Sequence, residues 1–189
     1  MKKVCLGIFA TLVALATSGV AEAQYGRLPL SLEVRGHAAF PVGDLADRDL
    51  GSLKTGFGGG ADLTVHVSPM FGIYGGISGT EFETEGLSGD SFQEYGFDLG
   101  AKLMFPTMTG ISPFLRGGAV FHQVRATTGG VRFNYPDEKV GFEVGGGLAA
   151  PLGAVISVTP SVRYVNFGLG TGDTNFSYVA AGLGLMFRF

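Results

Sequence analysis

The chain has 189 residues, enough for one domain, and only 15% of them are charged, against roughly 25% in soluble domains. Glycine is frequent, with 33 residues, but shows no three-residue period of the collagen kind. The formal net charge is −3, and the clustered basic face of a nucleic-acid-binding protein is absent from the sequence. Composition therefore disfavours an ordinary soluble domain, a collagen and a nucleic-acid partner.

Residues 1–23 have the organisation of a cleaved secretory signal peptide. Two lysines precede a mostly apolar stretch over 4–20, and Ala21-Glu22-Ala23 supplies the small-x-small cleavage pattern. A membrane anchor is the alternative, but the apolar stretch is shorter than the ~20 residues that a spanning helix needs. We therefore expect a mature domain over 24–189. The only cysteine, Cys5, precedes it, so no disulfide is expected there.

The longest uncharged stretch of the mature chain, residues 144–162, raises the possibility of a transmembrane helix. It contains Pro151 and Pro160 together with four glycines. A helix there would lose backbone hydrogen bonds that lipid cannot replace. Two strands joined by a tight turn explain the stretch better.

A two-residue period gives stronger evidence for strands. Over residues 95–105 and again over 179–189, one set of alternate positions is apolar, whereas the other is largely small or charged. Successive strand side chains point to opposite faces, so each segment predicts a strand with two different faces. In the first segment the apolar set is Tyr95, Phe97, Leu99, Ala101, Leu103 and Phe105, and the other set is Glu94, Gly96, Asp98, Gly100, Lys102 and Met104.

The pattern also fits a soluble β-sandwich, but three features favour a membrane barrel. The charged face is rich in glycine, as a narrow curved interior requires. The apolar faces end in aromatics such as Phe71, Phe105 and Phe189 at one rim and Phe40 and Phe142 at the other, as in interfacial girdles. Short connections alternate with longer, more polar ones, as do the periplasmic turns and outer loops of outer-membrane barrels.

We predict an all-β fold, an eight-stranded antiparallel up-and-down transmembrane β-barrel with both termini in the periplasm. The predicted strands are 30–40, 56–67, 71–82, 92–105, 113–125, 139–150, 155–167 and 175–189. Localisation in the bacterial outer membrane follows from this fold together with the signal peptide.

Two segments carry a family resemblance: Phe40-Pro41-Val42-Gly43-Asp44-Leu45 at the end of the first strand, and Leu183-x-Leu185-x-Phe187-x-Phe189 at the C-terminus. With the signal peptide, they make the mature chain resemble the small outer-membrane β-barrel proteins, which include OmpA-type transmembrane domains, OmpX/Ail-type proteins and OmpW-type proteins. The resemblance implies that Leu185, Phe187 and Phe189 form a signal for the barrel-assembly machinery. The alternative is an ordinary lipid-facing strand. No peptidoglycan-binding domain is expected after Phe189.

Extending the alternation inward assigns five acids and five bases to the lumen. The acids are Glu33, Asp62, Glu94, Asp98 and Glu143, the bases are Arg35, Lys102, Arg116, Arg163 and Arg188, and His37, His66, His122, Tyr74 and Tyr178 join them. All ten charged residues except Glu94 form the predicted ion-pair network. An eight-stranded barrel is just wide enough for side chains to fill, and buried ions must be paired. The prediction is thus a plugged lumen.

Counting residues about the turns suggests specific partners. A turn centred on Gly153 places Glu143 opposite Arg163. Closure of the barrel brings Glu33 towards Arg188, and the first hairpin brings Arg35 towards Asp62. A turn centred on Thr109 places two like charges, Lys102 and Arg116, opposite each other. Either that turn is asymmetric, or Asp98 or Glu33 reaches across the lumen towards them. An anion or solute site is the alternative.

Three functions follow in order of preference: a structural or surface-interaction protein acting through its outer loops, a narrow channel for small or apolar solutes, and a lipid-modifying enzyme. No cofactor, metal or catalytic residue is predicted, because the histidines lack the spacing of ligands or of a nucleophile and its base. A divalent cation on Glu81, Glu83 and Glu85 is the weaker alternative to a solvated strand end. Clustered His, Ser and acid at the outer rim would favour the enzyme. Expected partners are outer-membrane lipid, lipopolysaccharide, the barrel-assembly machinery and an unidentified surface ligand, with the protein a monomer.

Overall fold

The computed structural model describes residues 30–43, 53–84, 91–129, 131–134, 139–168 and 175–189. The predicted signal peptide, 1–23, lies outside the described residues, as do parts of all four longer connections. Within the described ranges, no helix is long and apolar enough to cross a membrane.

Nine β-strands account for most of the described chain. They are β1 (Leu30–Val42), β2 (Gly56–His66), β3 (Phe71–Glu83), β4 (Ser91–Met104), β5 (Ser112–Thr128), β6 (Val131–Asn134), β7 (Lys139–Pro151), β8 (Ile156–Gly168) and β9 (Asn175–Arg188). Eight of them, all except β6, pair with antiparallel neighbours on both sides, and β9 pairs with β1 to close the barrel. The predicted fold class is confirmed.

The stagger of the strands follows from the register. Starting at Leu32 in β1 and moving through each paired residue around the barrel, the path returns to β1 at Val42, ten residues further along. For eight strands this stagger corresponds to a strand tilt of about 40°. We call the end with the short turns the inner end and the end with the long connections the outer end. When it is followed in chain order, this path of paired residues moves towards the outer end of the barrel.

The two faces of each strand meet different surroundings. In β4, Phe97 and Leu99 are 52% and 44% exposed on the barrel exterior, whereas Asp98 between them is 2% exposed in the lumen. In β9, Leu183 is exposed and Met186 is buried. The period-two pattern therefore assigned the faces correctly, and the apolar exterior is the lipid-facing surface that such barrels require.

The predicted strands agree with β1–β5 and β7–β9 to within three residues at each end. The prediction missed β6, which pairs with the outer part of β5 and extends that hairpin beyond the barrel wall. Gly129, with φ of 58°, precedes β6. The sequence of β6, Val131-Arg132-Phe133-Asn134, alternates apolar and polar residues, but over four positions only.

Candidate functional site

The buried side chains of the lumen lie in three layers, from the outer to the inner end. The outer aromatic layer contains Phe82, Phe167, Phe176 and Tyr178 within one buried apolar cluster. The charged layer lies in the middle. The inner apolar layer consists of Met104, Phe114, Ala149 and Met186.

The charged layer forms a continuous chain of alternating charges across the barrel. Its members, in order of contact, are Arg163, Glu143, Arg116, Asp62, Arg35, Asp98, His122 and Glu94. The link from Arg116 in β5 to Asp62 in β2, at 2.7 Å, joins strands that do not pair with each other. Because both walls contribute ions, the chain holds opposite sides of the barrel together.

A separate ion pair lies on the inner side of this chain. Lys102 Nζ donates to Glu33 Oε2 at 2.7 Å, and the hydroxyl of Thr159 donates to the other carboxylate oxygen at 3.0 Å. The same ammonium lies 4.2 Å from the ring centre of Phe114, which connects the pair to the inner apolar layer. The register does place Lys102 opposite Arg116, and Glu33 reaches across the lumen to one of the two cations.

Two partners inferred by turn counting need correction. The register pairs Gly145 with Arg163, so the β7–β8 turn is centred one residue later than Gly153 and Glu143 lies diagonal to Arg163. Their side chains still meet at 3.0 Å because long side chains reach diagonal positions. Arg188 is paired with Ser31 rather than Glu33 and lies half-buried at the inner end of β9. The pairing of β1 with β9, which closes the barrel, is therefore shifted by two residues from the one that would place Glu33 opposite Arg188.

His122 supplies a positive charge that the sequence count did not include. Its Nδ1 lies 2.5 Å from Glu94 and its Nε2 lies 2.8 Å from Asp98. An imidazole donates from both nitrogens only as its cation. Among the described residues the buried lumen holds five carboxylates and four arginine or lysine side chains, so protonated His122 balances the charge.

His122 and two of its neighbours have the residue types of a hydrolase triad: a serine, a histidine and an acid. Ser78 Oγ lies 3.3 Å from Nε2, and Glu94 contacts Nδ1. Asp98 also contacts Nε2, so this nitrogen carries a proton and has no lone pair with which to accept one from Ser78. The group lies inside the barrel, with His122 1% exposed and Ser78 9% exposed, rather than at the outer rim. The geometry is that of a structural ion pair.

The other two histidines hydrogen-bond to hydroxyl groups. His37 Nε2 lies 3.0 Å from Thr80 Oγ1 in the outer half of the lumen, and His66 Nε2 lies 2.9 Å from Ser31 Oγ near the inner end. Among the described residues, no group of three or more His, Cys, Asp or Glu side chains is arranged to hold a metal ion. Glu85, the third member of the candidate cation site, lies outside the described residues.

The outer aromatic layer is the main feature that the sequence reasoning missed. Phe167 stacks on Phe176 with ring centres 4.9 Å apart, and Phe82 meets both Phe176 and Tyr178 edge-on at 5.5 Å. These phenylalanines occupy the same strand parity as the lumen charges. The alternation in the sequence alone could therefore have assigned these phenylalanines to the lumen.

Tyr178 connects the aromatic layer to the charged layer. Its hydroxyl donates to Glu94 Oε1 at 2.5 Å. The edge-to-face contact of His122 with Phe167, at 5.6 Å, makes a second connection. The two layers therefore pack as one unit.

The predicted assembly signal lies at the inner end of the barrel exterior. Leu185 and Phe189 are 44% and 54% exposed, and Phe187 is half-buried. The backbone N–H of Phe189 donates to the carbonyl of Leu30 at 2.9 Å, which extends the β1–β9 pairing to the last residue.

Solved structures of surface and outer-membrane proteins share this architecture. Neisserial surface protein A superposes with a TM-score of 0.68 at 14% identity, covering 87% of this chain and 100% of that one. The attachment invasion locus protein Ail of Yersinia pestis gives 0.57 at 17% identity, covering 86% and 99%. The N-terminal β-barrel domain of Pseudomonas aeruginosa OprF gives 0.53 at 16% identity, covering 84% and 97%. At these identities the likeness establishes the fold.

Sequence comparison identifies the family. No protein of curated function matches the chain by sequence. The family described as outer membrane protein beta-barrel domain matches residues 8–189, nearly the whole chain. The chain belongs to this family and is an eight-stranded β-barrel of the bacterial outer membrane.

Proposed function

We propose that this protein is a closed barrel that acts as a scaffold for surface interactions through its outer loops. The main support for this proposal is the alternating chain of buried charges across the middle of the lumen. An eight-stranded barrel has room only for side chains or one small ligand. Here the side chains take that room, with apolar layers above and below the charges.

The burial of these ions supports a plug over a water-filled pore. Glu143 and Arg116 are 2% and 4% exposed, so water does not solvate them as it would in a conducting channel. Taking an ion out of water costs several kcal/mol, which only close pairing offsets. Each of the five buried carboxylates of the described lumen contacts a cationic side chain, so every one of these negative charges is compensated.

The sequence of the outer connections indicates the charge of a partner. Residues 43–55, 84–90, 129–138 and 169–174 contain eight acidic and three basic residues. One structure of Ail contains the heparin analogue sucrose octasulfate, a polyanion. The acidic excess would repel such a molecule from these connections, so we expect a cationic surface partner instead.

Assembly and oligomeric state complete the proposal. Leu185, Phe187 and Phe189 would be read by the barrel-assembly machinery, as the family resemblance implies. The exposed apolar exterior faces lipid, so the monomer needs no second copy to cover it. Lipopolysaccharide is the expected lipid neighbour of the outer half.

Electrical recording in a planar bilayer tests the closed lumen. Purified, refolded protein should leave the membrane at baseline conductance, while a porin added to the same membrane gives steady openings. A large, steady conductance from the purified monomer would overturn the plug and favour the channel. Incubation with lipopolysaccharide or phospholipid should release no acyl chains, and release above the buffer control would favour the enzyme.

A further inference from the structure

His37 joins three strands in the outer half of the lumen. It lies on β1, its Nε2 is 3.0 Å from Oγ1 of Thr80 on β3, and its Nδ1 is 3.4 Å from Nη2 of Arg163 on β8. Neither β3 nor β8 pairs with β1, whose neighbours are β2 and β9. The imidazole therefore links parts of the wall that the hydrogen-bonded sheet does not connect directly.

These three side chains lie on the inner side of the outer aromatic layer. Two residues further along each strand, on the same face, is a member of the buried outer cluster: Ala39, Phe82 and Val165. The strands β1, β3 and β8 all run from the inner to the outer end, and each leads into one of the four outer connections. The contacts of His37 thus hold the strand ends from which three of these connections start.

The contact with Arg163 requires a neutral His37. A guanidinium has only donors, so Nδ1 must offer a lone pair and cannot carry a proton. The one proton of the neutral ring is then on Nε2, which donates to the hydroxyl of Thr80. His122 has the opposite surroundings, because a carboxylate faces each of its nitrogens. The two histidines therefore differ in charge.

A proton added to Nδ1 of His37 would meet mainly positive charge. The charged groups that face the ring are two guanidiniums and one carboxylate: Arg163, Arg35 and Glu94. The carboxylate already accepts from His122 and from the hydroxyl of Tyr178. The strands beside β1 present glycines to the ring, Gly58 on β2 and Gly182 on β9, and β3 contributes a hydroxyl. With this proton in place, the ring would lose the bond from the arginine and add a third positive charge to the group.

We propose that His37 is an acid-sensitive latch for the outer half of the barrel. In the closed form the neutral ring accepts from Arg163 and donates to Thr80. An opening that separates the ring from Arg163 frees Nδ1 to take up a proton, so acid favours the open form by mass action. The open form releases the outer ends of β1, β3 and β8 together with the connections that follow them. The latch depends only on contacts in the lumen and does not require the proposed scaffold role.

Hydrogen exchange of the backbone amides tests the latch in the full protein, refolded in uncharged detergent micelles. Exchange is followed by mass spectrometry at about pH 7.5 and about pH 5.5, on either side of the ordinary histidine pKa of about 6.5. The rates are corrected for the intrinsic dependence of exchange on pH. His37→Asn supplies an amide oxygen that can accept from Arg163 but takes up no proton. The inner halves of the same strands are the internal control.

In the wild type, the opening equilibrium constant of the outer halves of β1, β3 and β8 should rise roughly tenfold between the two pH values. This is the ratio for one proton taken up on opening by a histidine of ordinary pKa. The inner halves, and the outer halves in His37→Asn, should show no such rise. Equal pH dependence in the wild type and the variant would overturn the latch. So would a rise that is spread evenly over the outer and inner halves.

Nitrogen-15 NMR of the histidine rings in the wild type keeps the test decisive if His37→Asn does not fold. At the higher pH, the His37 ring should carry one proton, on Nε2, whereas the His122 ring in the same spectrum should carry two. A His37 ring with a proton on Nδ1 under these conditions would contradict the closed form of the latch.

Discussion

The hydroxyl of Tyr74 in β3 lies 2.5 Å from Oε1 of Glu143 in β7, so these two residues join walls of the barrel that do not pair with each other. Arg116 donates to the same oxygen at 2.6 Å, and Arg163 donates to Oε2 at 3.0 Å. Arg116 also covers the ring of Tyr74, at 4.2 Å from its centre. Glu143 therefore accepts hydrogen bonds from three side chains of the lumen: Tyr74, Arg116 and Arg163.

Replacing Glu143 by glutamine should destabilise the barrel strongly. The change keeps the volume of the side chain but removes the negative charge that compensates Arg116 and Arg163. Breaking a buried pair in this way costs about 3–5 kcal/mol, because an uncompensated charge stays in the interior. Urea unfolding of refolded protein in detergent micelles gives the free energy of unfolding.

Glu81→Gln is the control, since Glu81 is an exposed acid hydrogen-bonded to Gln93. Exposed polar contacts of this kind contribute less than about 1 kcal/mol. If the two variants lost the same free energy of unfolding, Glu143 would not be the centre of the charged layer.

The sequence predicted which residues face the lumen better than which of them meet. Side-chain direction in a strand depends only on parity, so Glu143, Arg163 and Arg116 could be assigned to the lumen without any knowledge of the turns. Partner choice depends on the turn, and because the β7–β8 turn is centred one residue later than expected, the register partner of Glu143 moves by two positions, from Arg163 to Val165. Contacts across the lumen, such as Lys102 with Glu33, depend on the stagger of the whole barrel, which no single hairpin determines.

The interior glycines are a further consequence of the narrow lumen. Gly100 and Gly118 are register partners, and the hydroxyl of Tyr74 lies close to the position that a Cβ atom of either residue would take. A Cβ atom at Gly118 would lie 2.7 Å from that hydroxyl and would collide with the carbonyl oxygen of Leu99. The neighbouring Gly117 faces outward, and its nearest contact would be ordinary, at 3.6 Å from the carbonyl oxygen of Glu143.

We expect Gly118→Ala to lower the free energy of unfolding by about 1–3 kcal/mol, the usual cost of overpacking. Gly117→Ala should be neutral or stabilising by up to about 1 kcal/mol, because alanine restricts the unfolded chain without strain. Parallel urea titrations of the two variants measure the difference. Equal effects would show that the space above Gly118 is not limiting.

Phe189→Ala tests the assembly role against simple contact with lipid. If the terminal aromatic is read during insertion, the fraction of folded protein in the outer membrane should fall several-fold. The stability of protein refolded in vitro should change little, because Phe189 lies on the exposed exterior. Heat-dependent gel mobility of isolated membranes measures the folded fraction.

Phe71→Ala is the matched control, since Phe71 is another exterior aromatic at the inner end, 36% exposed. Its folded fraction in cells should stay close to that of the wild type. An equal decrease in both variants would assign Phe189 to the lipid boundary alone.

Phe82→Ala tests whether the outer aromatic layer or the charged layer is responsible for the proposed closure of the lumen. Phe82 is fully buried and touches Phe176 and Tyr178 edge-on, so its removal should cost about 3–5 kcal/mol of unfolding free energy. Phe57→Ala, which truncates a 72% exposed exterior aromatic, should cost less. Planar-bilayer recordings of Phe82→Ala should nevertheless stay at baseline, because the ion pairs below the aromatic layer still block the lumen. Steady conductance in this variant alone would mean that the aromatic layer closes the barrel, and the charged layer would then serve stability rather than closure.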